Sequence, residues 1–350
     1  MSVRLPKTAT SPKALKHSKS AGDVVQTNIE PSCHLHIQAL LFPHFNTVTW
    51  MHDLYKHCPT ARLNEIVIPG SHDSATDEMT RHSAYAKFNK LHRVSQDLVC
   101  MWAKTQHHSI YNQLMDGIRY LDLRIENHPS GWKTFHGLIS NCMIDVLDQI
   151  GKFASNHNRE IIIIDFQHLV NFDFQDHVEL MEYIIKHSSL GPRLAGNHFG
   201  MDGMLRDFWK ADKNVIILYS EGHHHFSHLY WNRRHSIDSP WYNTPRKSVL
   251  QDKLIEGIRR RDPHKLHVSQ LILTPDVLKV VSGFMFGVSS LYGLSIPSIS
   301  DIIANGVMQR LDLSAKEANQ HLNIVIVDFY EHSTFVENCL KVNSRNIQSQ

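Results

Sequence analysis

Ile161-Ile162-Ile163-Ile164 is apolar at every position, and Ile324-Val325-Ile326-Val327 repeats this pattern near the other end of the chain. Strands buried on both faces have this composition, and they occur mainly in parallel sheets that helices cover. Other β-branched runs precede these two or lie between them, separated by longer mixed segments. The predicted strands are residues 65–69, 117–125, 133–138, 161–166, 214–219, 267–273 and 323–329.

The alternation of strands with helix-like segments, such as 145–153 and 174–186, predicts βαβ units. This number of strands favours an α/β fold, a distorted or incomplete TIM-type (β/α) barrel in a single domain, over an open doubly wound sheet. No GxGxxG motif follows the first strand, so the usual sign of a dinucleotide fold is missing. We expect the barrel over 46–340, after a disordered basic tail and lead-in (1–45) and before a C-terminal tail (341–350).

Composition excludes several function classes. The formal net charge of +2 is too small for a nucleic-acid surface. Five scattered cysteines, none spaced as CxxC, favour reduced thiols in a cytosolic compartment. No secretory signal and no run long enough to span a bilayer is recognisable. We expect a cytoplasmic protein whose basic residues 1–30 form either a solvated tail or a weak anchor for anionic lipid.

Ionisable side chains stand at or near the ends of four predicted strands. Because the reacting groups of barrel enzymes come from the C-terminal ends of several strands, we expect these side chains to form one site. Asp122 and Arg124 share a face, since alternate residues of a strand point the same way. The candidates are His72 and Asp73 after the first strand, Asp122 and Arg124 on the second, His136 on the third and Asp328 on the last.

These residue types suit in-line displacement at a phosphodiester. One histidine would remove a proton from the attacking hydroxyl, and the other would protonate the departing alkoxide. An arginine fork matches phosphate oxygens in geometry and charge, and carboxylates fix the tautomer of an imidazole and stabilise its charged form. Taken singly, each group also has a structural interpretation, as a satisfied strand-end histidine or a buried ion pair.

The motifs that carry these residues resemble the phosphatidylinositol-specific phospholipase C X-domain family, in particular its single-domain eukaryotic branch. The resemblance runs from about Trp50 to Glu331. It implies a distorted barrel that cleaves the bond between diacylglycerol and the phosphoinositol headgroup. The motifs are Trp50-Met51, Ile68-Pro69-Gly70-Ser71-His72-Asp73-Ser74, Gly117-Ile118-Arg119-Tyr120-Leu121-Asp122-Leu123-Arg124, Phe135-His136-Gly137, Glu160-Ile161-Ile162-Ile163-Ile164-Asp165-Phe166, His267-Val268-Ser269-Gln270 and Val327-Asp328-Phe329.

The resemblance also implies a division of labour between the two histidines. His72 resembles the general base that deprotonates the inositol 2-hydroxyl, and Asp328 resembles its orienting carboxylate. His136 resembles the general acid for the diacylglycerol oxygen, assisted by Asp73. Attack by an internal hydroxyl implies a cyclic inositol phosphate as the product.

Metal use and headgroup contacts follow from the same resemblance. Arg124 matches the arginine that bacterial members use where calcium-dependent members place a metal, and Asp122 resembles its carboxylate neighbour. The calcium-dependent members carry Asn after the first histidine and Glu-x-Asp on the second strand, whereas this chain has Asp73 and Asp122-x-Arg124. We therefore expect catalysis without calcium, another metal or a cofactor. Substrate contacts are expected from Arg124, Gln167 and Tyr219, although the last two stand where bacterial members have basic residues.

Two other functions remain open from the sequence. A phosphoinositide-binding module without turnover would fit the missing lysine near Gln167. A metal-dependent glycerophosphodiesterase on a similar barrel would require a Glu-x-Asp pair where Asp122-x-Arg124 stands. The expected partners are a phosphoinositide lipid and a membrane surface, with no nucleic acid and no protein partner.

Two features of residues 223–242 have alternative interpretations. Aromatic residues, among them Trp231 and Trp241, either contact lipid beside the mouth of the site or pack on the barrel. His224 and His228 have a spacing that suits metal ligands on a helix, but this segment is predicted to be a loop, so we assign no metal there.

Overall fold

The computed structural model describes residues 45–87, 95–221, 225–274, 300, 302–303 and 306–349. Strands and helices alternate along these residues, as predicted. The strands are Ile68–Ser71 (β1), Tyr120–His128 (β2), Gly131–His136 (β3), Leu138–Cys142 (β4), Ile162–Val170 (β5), Val215–Tyr219 (β6), Trp231–Asn232 (β7), Ile237–Asp238 (β8), Leu266–Gln270 (β9) and Ile324–Val327 (β10). The helices are Trp50–Tyr55 (α1), Gln96–Ala103 (α2), Ile110–Met115 (α3), Met143–Asn156 (α4), Phe174–Glu182 (α5), Leu205–Ala211 (α6), Arg233–Ser236 (α7), Lys247–Arg259 (α8), Val307–Glu317 (α9) and Phe335–Gln348 (α10).

The main sheet is parallel and has the strand order β7-β6-β5-β2-β1-β10-β9-β8. The short strands β7 and β8 stand at the two ends of this order, and the four-residue helix α7 joins them along the chain. The sheet therefore curls into an incomplete TIM-type barrel, which confirms the predicted fold class.

The core lies between this sheet and the helices that follow its strands. The residues of Ile161–Ile164 and Ile324–Val327 are fully buried, in agreement with the parallel-sheet pattern. Helix α8 buries Leu250, Leu254 and Ile258, whose spacing of four residues forms one apolar face. Each such side chain contributes about 1.5–3 kcal/mol when it is fully buried.

A buried ion pair joins the residue before β2 to the segment before β5. Arg119 donates from Nε and Nη2 to Glu160 Oε2 at 3.0 and 2.8 Å. Its Nη1 donates to the Leu114 carbonyl at 2.6 Å, and its Nη2 also donates to the Val48 carbonyl at 2.7 Å. Both charged side chains are almost completely buried, so these hydrogen bonds offset a large desolvation cost.

The third predicted strand is a hairpin and not a barrel strand. β3 pairs antiparallel with both β2 and β4. Only Pro129 and Ser130 separate β2 from β3, whereas a parallel connection requires a crossover of a dozen residues or more. Gly131 completes the turn with a φ of 97°. The expectation that His136 ends a parallel strand is therefore wrong, because the residue ends a hairpin arm.

The C-terminal helix α10 packs against the sheet. The expected domain boundary at residue 340 falls inside this helix, and Val342 and Asn343 are buried. The Asn343 side chain accepts from the Val67 amide and donates to the Val67 carbonyl, both at 2.8 Å. Residues 341–348 are therefore part of the domain. The expected N-terminal tail lies outside the described residues, except for Phe45.

None of the helices within the described ranges has the length and apolar character needed to cross a membrane. No disulfide joins the cysteines that the structure describes, which are Cys58, Cys100, Cys142 and Cys339.

Candidate active site

The predicted catalytic side chains meet at the carboxyl end of the sheet. β1 lies between β2 and β10, so the residues that end these three strands are neighbours. The hairpin arm β3 adds its last residue to them. The group consists of His72 and Asp73 after β1, Asp122 and Arg124 on β2, His136 at the end of β3 and Asp328 after β10.

His72 is fixed through one ring nitrogen and offers the other to the site. Its Nδ1 donates to Asp328 Oδ1 at 2.8 Å. Its Nε2 lies 3.2 Å from Asp73 Oδ2 and 3.2 Å from Arg124 Nη2. In the neutral ring, a proton on Nδ1 leaves Nε2 with a lone pair, so Nε2 is the nitrogen that can accept a proton.

Asp73 links both histidines to the arginine. Its Oδ2 lies 3.2 Å from His72 Nε2 and also 3.2 Å from His136 Nδ1, and its Oδ1 lies 2.6 Å from Arg124 Nε. Burial opposes the charge of the carboxylate, but Arg124 and the two histidines hold the pKa of Asp73 below its usual range. The residue has a φ of 40°, and its backbone N–H donates to Asp122 Oδ2 at 3.3 Å. A left-handed conformation is uncommon outside glycine and is found more often at functional sites.

His136 faces His72 across the site. Its Nδ1 donates to the Ala103 carbonyl at 2.7 Å, so Nδ1 carries a proton. The other ring nitrogen, Nε2, takes no part in this hydrogen bond. The two imidazole centres are 6.1 Å apart at an interplanar angle of 73°. Both rings line the same cavity.

The protonation states of the two histidines differ. Burial disfavours charge on His72, but Asp73 and Asp328 outweigh it and raise the pKa of His72 to about 9. Burial lowers the pKa of His136 despite the nearby Asp73. Burial raises the pKa of Asp122 to about 6. At neutral pH the substrate-free site therefore holds a charged His72 and a neutral His136.

A cavity of about 430 Å³ opens above these residues. This volume lies within the range of small-molecule sites, which are usually apolar with a few convergent polar groups. The polar groups belong to the predicted catalytic residues and their neighbours, and the apolar groups include Trp102 and Trp241. The lining residues are His72, Trp102, Arg124, His136, Gln167, His168, Ser239, Trp241, Gln270, Ile272, Leu273, Thr274 and Asp328.

A bulge in β5 explains why His168, which the sequence analysis does not predict as a site residue, lines the cavity. Leu123 pairs with Phe166, but the next residue of β2, Arg124, pairs with His168. Gln167 is the extra residue, so the strict alternation of β5 stops there. Both Gln167 and His168 line the cavity, and Gln167 Nε2 is buried without a hydrogen-bond partner among the described residues.

Tyr219, the other expected substrate contact, has a different environment. It is fully buried, and its hydroxyl is hydrogen-bonded to His177 Nδ1 at 2.7 Å. Arg233, the residue directly after β7, is a basic residue, and its Nε lies 2.6 Å from Asp165 Oδ1. Tyr120 donates to the other oxygen of Asp165 at 2.5 Å. Tyr219 is therefore a core residue in this structure and is not exposed to the cavity.

One group of side chains in the site has the composition of a metal site. His72, Asp73 and Asp122 offer ligand atoms that lie within 4.8 Å of one another. Arg124 Nε is 2.6 Å from Asp73 Oδ1, and Arg124 Nη2 is 3.9 Å from Asp122 Oδ2. A metal ion would compete with this guanidinium for the same carboxylates.

Comparison with curated proteins decides the family. PI-PLC X domain-containing protein 2 of Homo sapiens is 31% identical over 256 residues, which are 69% of this chain and 82% of that protein. The chain belongs to the PI-PLC X domain-containing proteins. PI-PLC X domain-containing protein 3 of Mus musculus is 27% identical over 311 residues, covering 84% of this chain and 92% of that protein. No family model matches this PI-PLC X domain-containing protein.

Solved structures share the fold of this PI-PLC X domain-containing protein. The phosphatidylinositol-specific phospholipase C from Listeria monocytogenes has a TM-score of 0.57 at 19% identity, over 85% of this chain and 98% of that one. A phosphatidylinositol-specific phospholipase C from Staphylococcus aureus has a TM-score of 0.58 at 14% identity, over 86% and 99%. At these identities the similarity establishes the barrel fold alone.

Proposed function

We propose that the chain is a phosphatidylinositol-specific phospholipase C, a phosphoric diester hydrolase that releases diacylglycerol and a cyclic inositol phosphate. The observation that supports this best is the position of Asp73, 3.2 Å from a nitrogen of each histidine and 2.6 Å from Arg124. Two proton-transfer groups and a phosphate-binding cation are thereby held around one small space, as in-line displacement requires.

In the proposed reaction His72 is the general base. In the fraction of molecules whose His72 is neutral, Nε2 takes the proton of the inositol 2-hydroxyl, and the resulting oxygen attacks phosphorus to form the ring of the cyclic product. Asp328, 2.8 Å from Nδ1, keeps the ring oriented and stabilises the charged imidazolium. Arg124 neutralises charge on the phosphate oxygens, since its Nη2 lies 3.2 Å from the same Nε2.

His136 is the proposed general acid. As the phosphorus–oxygen bond to diacylglycerol breaks, Nε2 of a protonated His136 delivers its proton to the departing oxygen. Nδ1 keeps its own proton through the hydrogen bond to the Ala103 carbonyl. In the substrate-free site the pKa of His136 is lowered by burial, so an anionic phosphate beside the ring must help to charge it.

The proposal includes catalysis without calcium and action at a membrane surface. Arg124 supplies positive charge next to Asp73, where a metal ion would otherwise be required. Trp241 is 60% exposed on the rim of the cavity, and its Nε1 donates to Thr274 Oγ1 at 3.0 Å. Exposed tryptophan is favoured at lipid interfaces. A cytoplasmic protein that binds the membrane peripherally fits this arrangement.

The metal-dependent glycerophosphodiesterase is the second candidate, because His72, Asp73 and Asp122 have the spacing of metal ligands. It is the weaker one, since Arg124 already contacts both carboxylates. If the chain had that function, the Arg124 guanidinium would have to move away from Asp73 and Asp122 before a metal ion could bind.

Purified protein should be incubated with vesicles that contain phosphatidylinositol, with and without EDTA, and the headgroup product identified by phosphorus NMR. We expect cyclic inositol phosphate, and we expect His72→Ala and His136→Ala each to lower the rate by roughly 10²–10⁴. His321→Ala is the matched control, because this histidine is exposed at the opposite end of β10.

Each alternative predicts a different outcome of that experiment. Lipid binding without any product would identify a binding module. A glycerophosphodiesterase would consume deacylated glycerophosphoinositol, lose activity in EDTA and regain it with a divalent cation. Full turnover in His136→Ala would exclude the proposed acid.

A further inference from the structure

A second cluster of metal-ligating side chains lies outside the catalytic group. His107 Nδ1 is 3.1 Å from Glu331 Oε1, and His332 Nε2 is 3.4 Å from the same oxygen. The three ligand atoms all lie within 4.8 Å of one another. His107 follows helix α2 by four residues, whereas Glu331 and His332 belong to a short 3₁₀ turn after β10. Two segments that are distant in sequence therefore supply one cluster.

We infer that His107, Glu331 and His332 bind a zinc ion. Two imidazoles and one carboxylate form an established ligand set for Zn²⁺, with a fourth position left for water. Ligand atoms on a tetrahedral zinc with bonds of about 2.0–2.1 Å lie roughly 3.3 Å apart. The observed separations of 3.1 and 3.4 Å are close to that spacing.

An independent observation at Glu331 points to a ligand. Its side chain is only 10% exposed, and its Oε2 is buried without a hydrogen-bond partner in the described part of the chain. A buried carboxylate oxygen without a partner is costly, and a bound cation offsets that cost. His107 and His332 are 39% and 36% exposed, so an ion can reach the cluster from solvent.

The position of the cluster gives zinc a structural consequence for the active site. Gln106, next to His107, donates from Nε2 to the His72 carbonyl at 2.9 Å and to the Val327 carbonyl at 3.0 Å. Phe329 lies two residues before Glu331, and its amide donates to the Thr105 carbonyl at 2.8 Å. Zinc would add a third connection between the segment that supports His72 and the segment that carries Asp328.

The experiment uses the whole chain, stripped with a chelator and dialysed, and titrates it with ZnCl₂ by calorimetry. We expect His107→Ala and His332→Ala each to bind one equivalent of zinc fewer than the unmodified chain. His321→Ala, which also removes an exposed histidine, should retain that equivalent. Zinc should raise the melting temperature of the unmodified chain and the control, but not of the two variants.

The melting temperature without zinc verifies that the variants fold, since both histidines are more than a third exposed. Two results would overturn the inference. One is a chain that binds no zinc at all. The other is a pair of folded variants that bind as many equivalents as the control, which would leave only an ordinary histidine–glutamate hydrogen bond at this position.

Discussion

Arg124 contacts Asp73 through an ion pair of 2.6 Å, and Asp73 in turn lies 3.2 Å from a ring nitrogen of His72 and of His136. In the proposed reaction the guanidinium therefore offers positive charge to the phosphate. Its planar fork also matches two phosphate oxygens, which a lysine ammonium does not.

This ion pair predicts how the activity responds to calcium and to a change at Arg124. Addition of Ca²⁺ to chelator-treated, dialysed protein should not increase phosphatidylinositol cleavage. Arg124→Lys should lower the rate by about 10²–10³, the usual effect of removing one donor to a developing negative charge. Arg260→Lys, a change at a residue with a 79% exposed side chain, is the control and should have no effect. Saturable activation by Ca²⁺ would contradict the prediction.

The raised pKa of His72 predicts the pH dependence of kcat/KM. The neutral, reactive form of His72 increases as pH rises to its pKa of about 9. The protonated, reactive form of His136 already decreases from below neutrality, because its pKa is lowered by burial. Between the two pKa values, the fraction of neutral His72 multiplied by the fraction of protonated His136 is nearly constant. A plot of kcat/KM against pH should therefore show a broad plateau that ends near pH 9. The measurement is initial rates with a water-soluble phosphatidylinositol analogue.

Asp328→Asn tests the origin of that alkaline limit. Asp328 raises the pKa of His72, so its neutral replacement should lower that pKa and move the alkaline limb to lower pH. The maximal rate should also fall, because the ring loses its orienting carboxylate. An unchanged alkaline limb in this variant would mean that another group sets it.

Trp241 is predicted to contribute to vesicle binding. Trp241→Ala should weaken binding to vesicles of phosphatidylcholine and phosphatidylinositol by about 1 kcal/mol, or roughly fivefold, since an exposed indole enters the interface. Leu313→Ala removes an apolar side chain that is 58% exposed on α9 and serves as the control. Sedimentation with sucrose-loaded vesicles measures both, and equal losses in the two variants would refute a specific role for Trp241.

The buried pair Arg119–Glu160 is predicted to be important for folding. Arg119→Leu should destabilise the protein by about 3–5 kcal/mol, because it leaves a buried carboxylate without its partner. Glu160→Gln in the same chain should restore part of the loss, since its side chain can still accept from the His52 amide. Urea unfolding followed by circular dichroism measures both variants. A loss below about 1 kcal/mol in the single variant would show that the pair has little energetic role.

The sequence predicted the parallel strands well because their signal is local. Runs such as Ile161–Ile164 and Ile324–Val327 are apolar at every position, and this pattern requires no knowledge of the rest of the chain. The sequence analysis does not separate the hairpin that carries His136 from a barrel strand, since Thr134 and Phe135 also suit a barrel strand and the short turn at Gly131 is the distinguishing feature. The two residues between β2 and β3 are too few for the crossover that a parallel pair requires.

Long-range contacts account for the remaining differences. Trp231 and Trp241 come from one aromatic segment, yet Trp231 is buried and donates to the Ala195 carbonyl at 2.9 Å, whereas Trp241 is exposed. No local pattern separates them, because the partner of Trp231 lies 36 residues away. The His223–His225 run falls partly outside the described residues, so the interpretation of His224 as a metal ligand is not tested.

The bulge in β5 has a consequence for how this pocket can change over evolutionary time. Because Gln167 is one residue more than the pairing with β2 requires, its deletion would return the strand to regular alternation. The wall would then present one side chain to the cavity where it now presents two. Related chains with the same apolar strands can therefore differ in the ligand they select through strand length alone, a difference that appears in an alignment as a single gap and not as a substitution.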